Sequence, residues 1–187
     1  MRRNSHLTAI AGFVLSAILL AVGGLLLWGS TYTHNMIHNQ LAAQQIYFPP
    51  MAAFAHPKAG TEITPSMIPS VSKYAGQQLL TGAQARAYAN DFIAVHLSEM
   101  PYGGVYSKVS AASRANPTNE ALAAEVDTVF RGTTLRGLLL EAYGFATIGA
   151  IMLWGAIASF ALGGLLAILV GLGYWHATRA RSPTQLQ

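Results

Sequence analysis

The stretch LTAIAGFVLSAILLAVGGLLLW, residues 7–28, decides the fold of this chain because it contains no charged side chain. A membrane-spanning helix needs roughly 20 consecutive apolar residues, so the stretch is long enough to form one. The apolar core of a cleaved signal peptide is shorter, at roughly 7–15 residues. No small-x-small cleavage pattern follows Trp28 either. The sequence therefore predicts an uncleaved transmembrane helix at residues 7–28.

A second uncharged run covers residues 144–175 and is longer than one membrane crossing requires. Trp154 and Trp175 lie about one bilayer thickness apart on a helix, and tryptophan is enriched at membrane interfaces. We predict a second transmembrane helix at residues 154–175, with helix continuing on its N-terminal side.

The composition and the charge distribution agree with a membrane protein. Charged residues make up 10% of the chain, whereas a typical soluble domain has about 25%. The formal net charge of +4 comes from four arginines near the two ends, namely Arg2, Arg3, Arg179 and Arg181. The positive-inside rule then predicts that residues 1–6 and 176–187 are cytoplasmic and that residues 29–153 are extracytoplasmic, in a two-pass protein of the cell membrane. Because the other charges balance, we expect membrane lipid as a partner and no nucleic acid.

Small residues recur at every fourth position of the second predicted span. Such a stripe lets helix backbones approach closely in a membrane. It has two interpretations: packing against the first span of the same chain, for example at Gly12 and Ser16, or docking of another subunit or a second copy. The residues of this small-residue face are Gly155, Ser159, Gly163, Ala167 and Gly171.

The extracytoplasmic part begins and ends with predicted stalks that prolong the two spans. Apolar residues at helical spacing extend the first helix over residues 29–48, and Pro49-Pro50 ends it. The second stalk covers residues 116–153, and its helix is predicted to run from residue 118 to 178, with Gly132 and Gly137 as weak points.

Between the stalks we predict a Pro-rich loop at residues 49–70 and cap helices at residues 71–115. Thr81 and Gln84 form a capping-box pattern that starts a helix. Pro101-Tyr102-Gly103-Gly104 predicts a turn before a further short helix. The predicted fold class is all-α: a two-helix transmembrane hairpin whose helices extend outward into a small extracytoplasmic bundle of about four helices.

His34 and His38 form the most chemically specific pattern in the chain. A spacing of four places both imidazoles on one helix face, which suits metal chelation. A zinc site needs at least a third ligand, and Glu141 is the best-matched candidate because it lies at a similar height above the second span. The alternatives are that the two histidines are polar residues of a stalk, or that they hold haem or another cofactor. No cofactor is expected if the two histidines are stalk residues, and a metal is possible if they form a chelate.

The chain lacks the motifs of common enzyme classes. It has no cysteine, which excludes thiolate catalysis, Cys-ligated zinc and iron–sulfur clusters. It also has no GxSxG, P-loop or strand-associated GxGxxG pattern. We therefore expect a protein that is not an enzyme.

Three stretches resemble a family of small two-span membrane proteins of actinobacteria. They are IHNQLAAQQIYFPP (residues 37–50), SKYAGQQLLTGAQARAYANDFIAVHL (residues 72–97) and FRGTTLRGLLLEAYGF (residues 130–145). Some members of that family carry the name of the small subunit of an aromatic-ring-opening dioxygenase, but the soluble enzymes of that name use an iron site whose ligands have no match here. The resemblance implies the two-span architecture and carries over no functional residue.

Three functions follow as hypotheses. The first is an accessory or interaction subunit of a membrane complex, which presents the extracytoplasmic helical domain and the small-residue face. The second is a metal- or cofactor-binding protein that uses His34 and His38. The third is a ligand sensor that depends on a partner for its output.

Overall fold

The computed structural model describes residues 2–179, with side chains from residue 7 onward. Residues 180–187 of the predicted C-terminal tail (residues 176–187), including Arg181, lie outside the described residues. The chain divides into two compact units. We call residues 2–32 and 148–179 the paired-helix unit, and Thr33–Thr147 the central unit. Within residues 2–179 the regular elements are helices, and the only strand-like pairing is an isolated bridge between Tyr47 and Gln78.

Two long helices account for the predicted spans. Helix α1 is Arg2–Gln44 and helix α6 is Glu120–Arg179. Among the described residues, both are long and apolar enough to cross a membrane, and only 11% of the most apolar part of each is buried. Gly132 and Gly137 do not interrupt α6. Its start is fixed by Asn119, whose side-chain oxygen accepts a hydrogen bond from the Leu122 amide at 3.0 Å.

Helix α1 ends four residues before the predicted end at residue 48. Gln45 has a left-handed backbone, with φ of 52°, and the following residues are extended. Their main chain pairs with a distant segment: the Phe48 amide donates to the Gln77 carbonyl, and the Leu79 amide donates to the Ile46 carbonyl, both at 2.9 Å. These bonds replace the helical ones, so the Pro49-Pro50 pair lies beyond the actual helix end.

The paired-helix unit consists of two antiparallel helix segments in contact. A Cβ atom built at Gly12 would lie 2.5 Å from Val170, one at Gly23 would lie 3.0 Å from Phe160, and one at Gly155 would lie 3.1 Å from Leu26. Successive positions along α1 therefore contact progressively earlier positions of α6, as expected for an antiparallel pair. Trp28 and Trp154 lie near the same end of the pair, and both are largely exposed, at 68% and 71%.

The central unit contains the helices predicted for the cap. Helix α3, Gly82–Ala87, continues through a π-helical segment, Tyr88–Ile93, into α4, Ala94–Glu99. The predicted capping box is confirmed, with Thr81 accepting from the Gln84 amide and Gln84 accepting from the Thr81 amide. The predicted turn is a short 3₁₀ segment, Pro101–Gly104. Helix α5 is Tyr106–Ala115.

The Pro-rich segment is more structured than a plain loop. It contains 3₁₀ turns at Met51–Ala55 and Pro65–Met67 and leads into a one-turn helix α2, Ile68–Val71. Phe54, Ile63 and Met67 are buried. The segment therefore contributes side chains to the core of the central unit. The largest fully buried side chains of that core are Met67, Val71, Leu79, Val109, Val129 and Leu139.

Candidate functional site

The small-residue face of α6 is partly covered within the paired-helix unit. A Cβ atom built at Gly163 would lie 3.2 Å from atoms of Leu19 and Leu20. Ser159, Ala167 and Gly171 are half-buried, and no described atom lies within 4 Å of a Cβ built at Gly171. At Gly155 and Gly163, helix α1 of the same chain thus occupies the face, which corresponds to the intramolecular alternative.

The predicted metal ligands are all exposed and are not gathered into one site. His34 and His38 lie on the surface of α1, and Glu141 lies on α6. Among the side chains of residues 7–179, no three histidine, aspartate or glutamate residues are grouped closely enough to hold a metal ion. His96, on α4, has its Nδ1 atom 2.9 Å from the Phe92 carbonyl oxygen. Among the described side chains, the histidine pair therefore has no third ligand of the kind that a zinc site requires.

Glu141 instead lies in a groove between α1 and α6 within the central unit, which we call the α1–α6 groove. Its volume is about 290 Å³. The groove is lined by Met36, Ile37, Gln40, Leu41 and Gln44 from α1 and by Leu138, Glu141, Ala142 and Phe145 from α6. Ile37 and Leu41 are buried and form its floor, whereas Leu138 and Phe145 remain 54% and 43% exposed. An apolar groove with exposed walls is suited to receiving another apolar surface.

The polar groups of the α1–α6 groove are few. Gln40 and Gln44 supply amides, and Glu141 is the one ionisable side chain in the lining. Among the described residues, the Glu141 carboxylate makes neither a salt bridge nor a hydrogen bond. The groove therefore combines an apolar floor with a single unpaired negative charge.

Two arginines of α6 have partners inside the central unit. Arg131 pairs with Asp127 at 2.9 Å on the exposed surface, as its i, i+4 spacing allows. Arg136 donates from Nη2 to the Asn90 side-chain oxygen at 3.1 Å, while its Nε atom is buried without a partner in the described part of the chain. Arg136 therefore ties α6 to the π-helical segment.

Aromatic rings form a continuous row in the central unit. Tyr88 contacts Phe48 with ring centroids 5.3 Å apart and Phe92 with centroids 4.8 Å apart, and Phe48 also contacts Tyr74. Burial raises the pKa of the Tyr88 hydroxyl above its usual value, and the negative charge of Glu62 raises it further. The row links Phe48, just after α1, and Tyr74, just after α2, to the π-helical segment. Phe48 is buried and the other three rings pack against the core of the central unit, so these rings belong to the core.

Sequence reasoning singled out Glu141 but missed the groove around it. The pattern that could have indicated the groove is the pair of apolar residues Leu138 and Phe145, seven positions apart on a helix and flanking an acidic residue. Seven residues are about two helical turns, so both side chains lie on one face.

No protein-family model matches this chain, and neither does a curated protein or a solved structure.

Proposed function

We propose that this chain is a two-pass membrane protein that acts, without catalysis of its own, as an accessory subunit of a membrane complex. In this proposal α1 and α6 cross the membrane as a hairpin, both chain ends are cytoplasmic, and the central unit is extracytoplasmic. The observation that carries the interaction role is the α1–α6 groove, with its apolar floor and the unpaired Glu141 carboxylate.

The groove favours a helix of another membrane protein as the occupant. Two helices with apolar side chains facing a shared groove receive a third helix by ordinary ridge-and-groove packing. Leu138 and Phe145 would cover its apolar side chains, and Glu141 would pair with one basic side chain. Charged pairs at an interface contribute mainly to partner choice and register.

Photocrosslinking in native membranes tests the partner. A photoreactive phenylalanine analogue replaces Leu138 or Phe145 in turn, and the control replaces Tyr102, which is 52% exposed in the Pro101–Gly104 turn. We expect one membrane protein to be crosslinked from positions 138 and 145 and not from position 102.

The charge of the groove gives a second criterion. Glu141→Lys should reduce the crosslinked product about tenfold, because it sets like charges against each other at the interface. The matched control is Glu125→Lys, which makes the same charge change on α6 outside the groove. A crosslinked product that contains two copies of this chain would identify the partner as a second copy, so that the chain forms a homodimer. No product at either position, or equal loss with both charge variants, would contradict the proposal.

The orientation has its own test, because the chain contains no cysteine. Ser98→Cys places one thiol on the exposed surface of α4, and Thr178→Cys places one near the end of α6. In intact cells, a membrane-impermeant maleimide should label the first and not the second. The reverse pattern would place the central unit in the cytoplasm.

A further inference from the structure

A second cleft, separate from the α1–α6 groove, opens in the central unit between α2, α3 and α6. Its volume is about 300 Å³, at the lower end of the range for small-molecule sites. The side chains that give it chemical character are those of Ser70, Lys73, Tyr74, Arg86, Asp91 and Tyr143. We call it the Asp91 cleft.

The cleft holds opposite charges that do not neutralise each other. Lys73 and Arg86 supply two cations and Asp91 supplies one carboxylate, yet the salt bridge between Arg131 and Asp127 is the only one among the described residues. Each of the two cations instead makes a cation–π contact with an aromatic ring. The Lys73 ammonium lies 4.9 Å from the centroid of the Tyr74 ring, and the Arg86 guanidinium lies 5.5 Å from that of Tyr143.

Asp91 is the least exposed of the three charged side chains in the cleft. It is half-buried in the π-helical segment, whereas Lys73 and Arg86 are exposed. In the described part of the chain its carboxylate accepts no hydrogen bond, and the Ser70 hydroxyl also makes none. A half-buried carboxylate without a donor is costly unless a ligand or water supplies one. Single π-helical turns within α-helices occur frequently at functional sites.

We propose that the Asp91 cleft binds a small zwitterion, with its anionic group beside Lys73 and Arg86 and its ammonium group hydrogen-bonded to the Asp91 carboxylate. Two cations and one carboxylate match the charges of an acidic amino acid, which carries two carboxylates and one ammonium group. The same chemistry occurs in the ethanolamine headgroup of a phospholipid, where a phosphate replaces the carboxylate.

Calorimetric titration of the full chain in phosphatidylcholine nanodiscs tests the proposal with L-glutamate, glutarate and glycerophosphoethanolamine. Glutarate is glutamate without its ammonium group, so it cannot bond to Asp91. We expect wild-type protein to bind glutamate about tenfold or more tightly than glutarate, the effect of one hydrogen bond between charged groups. Tighter binding of glycerophosphoethanolamine than of glutamate would identify the lipid headgroup as the source.

Variants then assign the roles of the residues. Asp91→Asn should weaken glutamate binding about tenfold and should not weaken glutarate binding, whereas Arg86→Gln should weaken both. Lys108→Gln, on α5 outside the cleft, is the control and should change neither.

The proposal fails if none of the three compounds binds, or if wild-type protein does not distinguish glutamate from glutarate. The comparison of ligands needs no variant, so it holds even if a substitution unfolds the protein. It is also independent of the partner proposed for the α1–α6 groove.

Discussion

The hydroxyl of Ser16 donates a hydrogen bond to the main-chain carbonyl oxygen of Gly163 at 2.8 Å. Ser16 is only 3% exposed, so this bond joins α1 to α6 inside the paired-helix unit. The absence of a side chain at Gly163 lets Leu19 and Leu20 approach its backbone closely. A polar bond and a small residue thus occur together at one helix contact, as is common between membrane helices.

Removing the hydroxyl of Ser16 should weaken the helix pair measurably. We expect Ser16→Ala to lower the free energy of unfolding by about 0.6 kcal/mol, the average for a hydrogen bond between membrane helices. Detergent-induced unfolding followed by tryptophan fluorescence measures this, since Trp28, Trp154 and Trp175 all lie in the paired-helix unit. The control is Thr31→Ala, because the Thr31 hydroxyl donates to the Leu27 carbonyl of its own helix. Equal effects of the two substitutions would show that the bond between the helices contributes nothing.

Two adjacent glycines of α6 should respond differently to the same substitution. Gly163→Leu would place a side chain against Leu19 and Leu20, and the forced separation should cost about 1–3 kcal/mol. Gly164→Leu should be close to neutral, because no described atom lies within 4 Å of its Cβ position. The same fluorescence assay compares them. A large effect at Gly164 would show that another chain packs against α6 at that position.

The features that the sequence predicted well depend on residues close together in the chain. The two long helices follow from uninterrupted apolar runs, and the Thr81–Gln84 capping box is a contact between residues three positions apart. The end of α1 was predicted wrongly because Ile46 and Phe48 bond to Leu79 and Gln77, about thirty positions away. Local propensity carries no information about such a pairing.

The candidate site shows the same limit. The spacing of His34 and His38 was readable, but a third ligand depends on how α1 and α6 pack side by side. That packing places Glu141 in a groove lined by Gln40 and Leu138, without a histidine. The Asp91 cleft was equally hidden, since Lys73 comes from a different segment than Arg86 and Asp91, and only the packing of the chain brings the three together.

The Pro101–Gly104 turn should tolerate alanine at one glycine far better than at the next. Both Gly103 and Gly104 have positive φ, at 65° and 62°, so alanine at either costs about 1–2 kcal/mol in backbone conformation. A Cβ at Gly104 would also overlap the main-chain carbonyl of Leu97, whereas one at Gly103 meets nothing within 4 Å among the described residues. Gly104→Ala should therefore cost about 1–3 kcal/mol more than Gly103→Ala. Hydrogen exchange of the α4 and α5 amides measures both. Similar exchange in the two variants would contradict the close contact with Leu97.

The cap of α3 should depend on Gln84 more than on Thr81. Thr81→Ala removes one acceptor and should cost about 1 kcal/mol. Gln84 is buried, and its side-chain oxygen accepts from the amides of Leu80 and Thr81 at 2.9 and 3.0 Å. Gln84→Ala leaves both donors unsatisfied and should cost more than 2 kcal/mol, at about 1–3 kcal/mol for each. Thermal unfolding followed by far-ultraviolet circular dichroism compares the variants, with Thr128→Ala as an exposed helical control. A smaller loss for Gln84→Ala than for Thr81→Ala would contradict this order.

The raised pKa of Tyr88 predicts a loss of stability at alkaline pH. Burial disfavours the tyrosinate form, and the charge of Glu62 adds to that effect, so the folded pKa lies above the ordinary value of 10.0. An unfolded chain releases this proton at a lower pH than the folded chain does. The stabilisation is therefore complete below about pH 10 and is lost as the pH rises through the folded pKa.

The difference in tyrosinate absorbance between wild type and Tyr88→Phe isolates the titration of Tyr88. Glu62→Gln should lower the folded pKa of Tyr88 only part of the way to its ordinary value, because burial is the larger cause of the shift. If wild type and Tyr88→Phe lost stability equally above pH 10, Tyr88 would not be the group responsible.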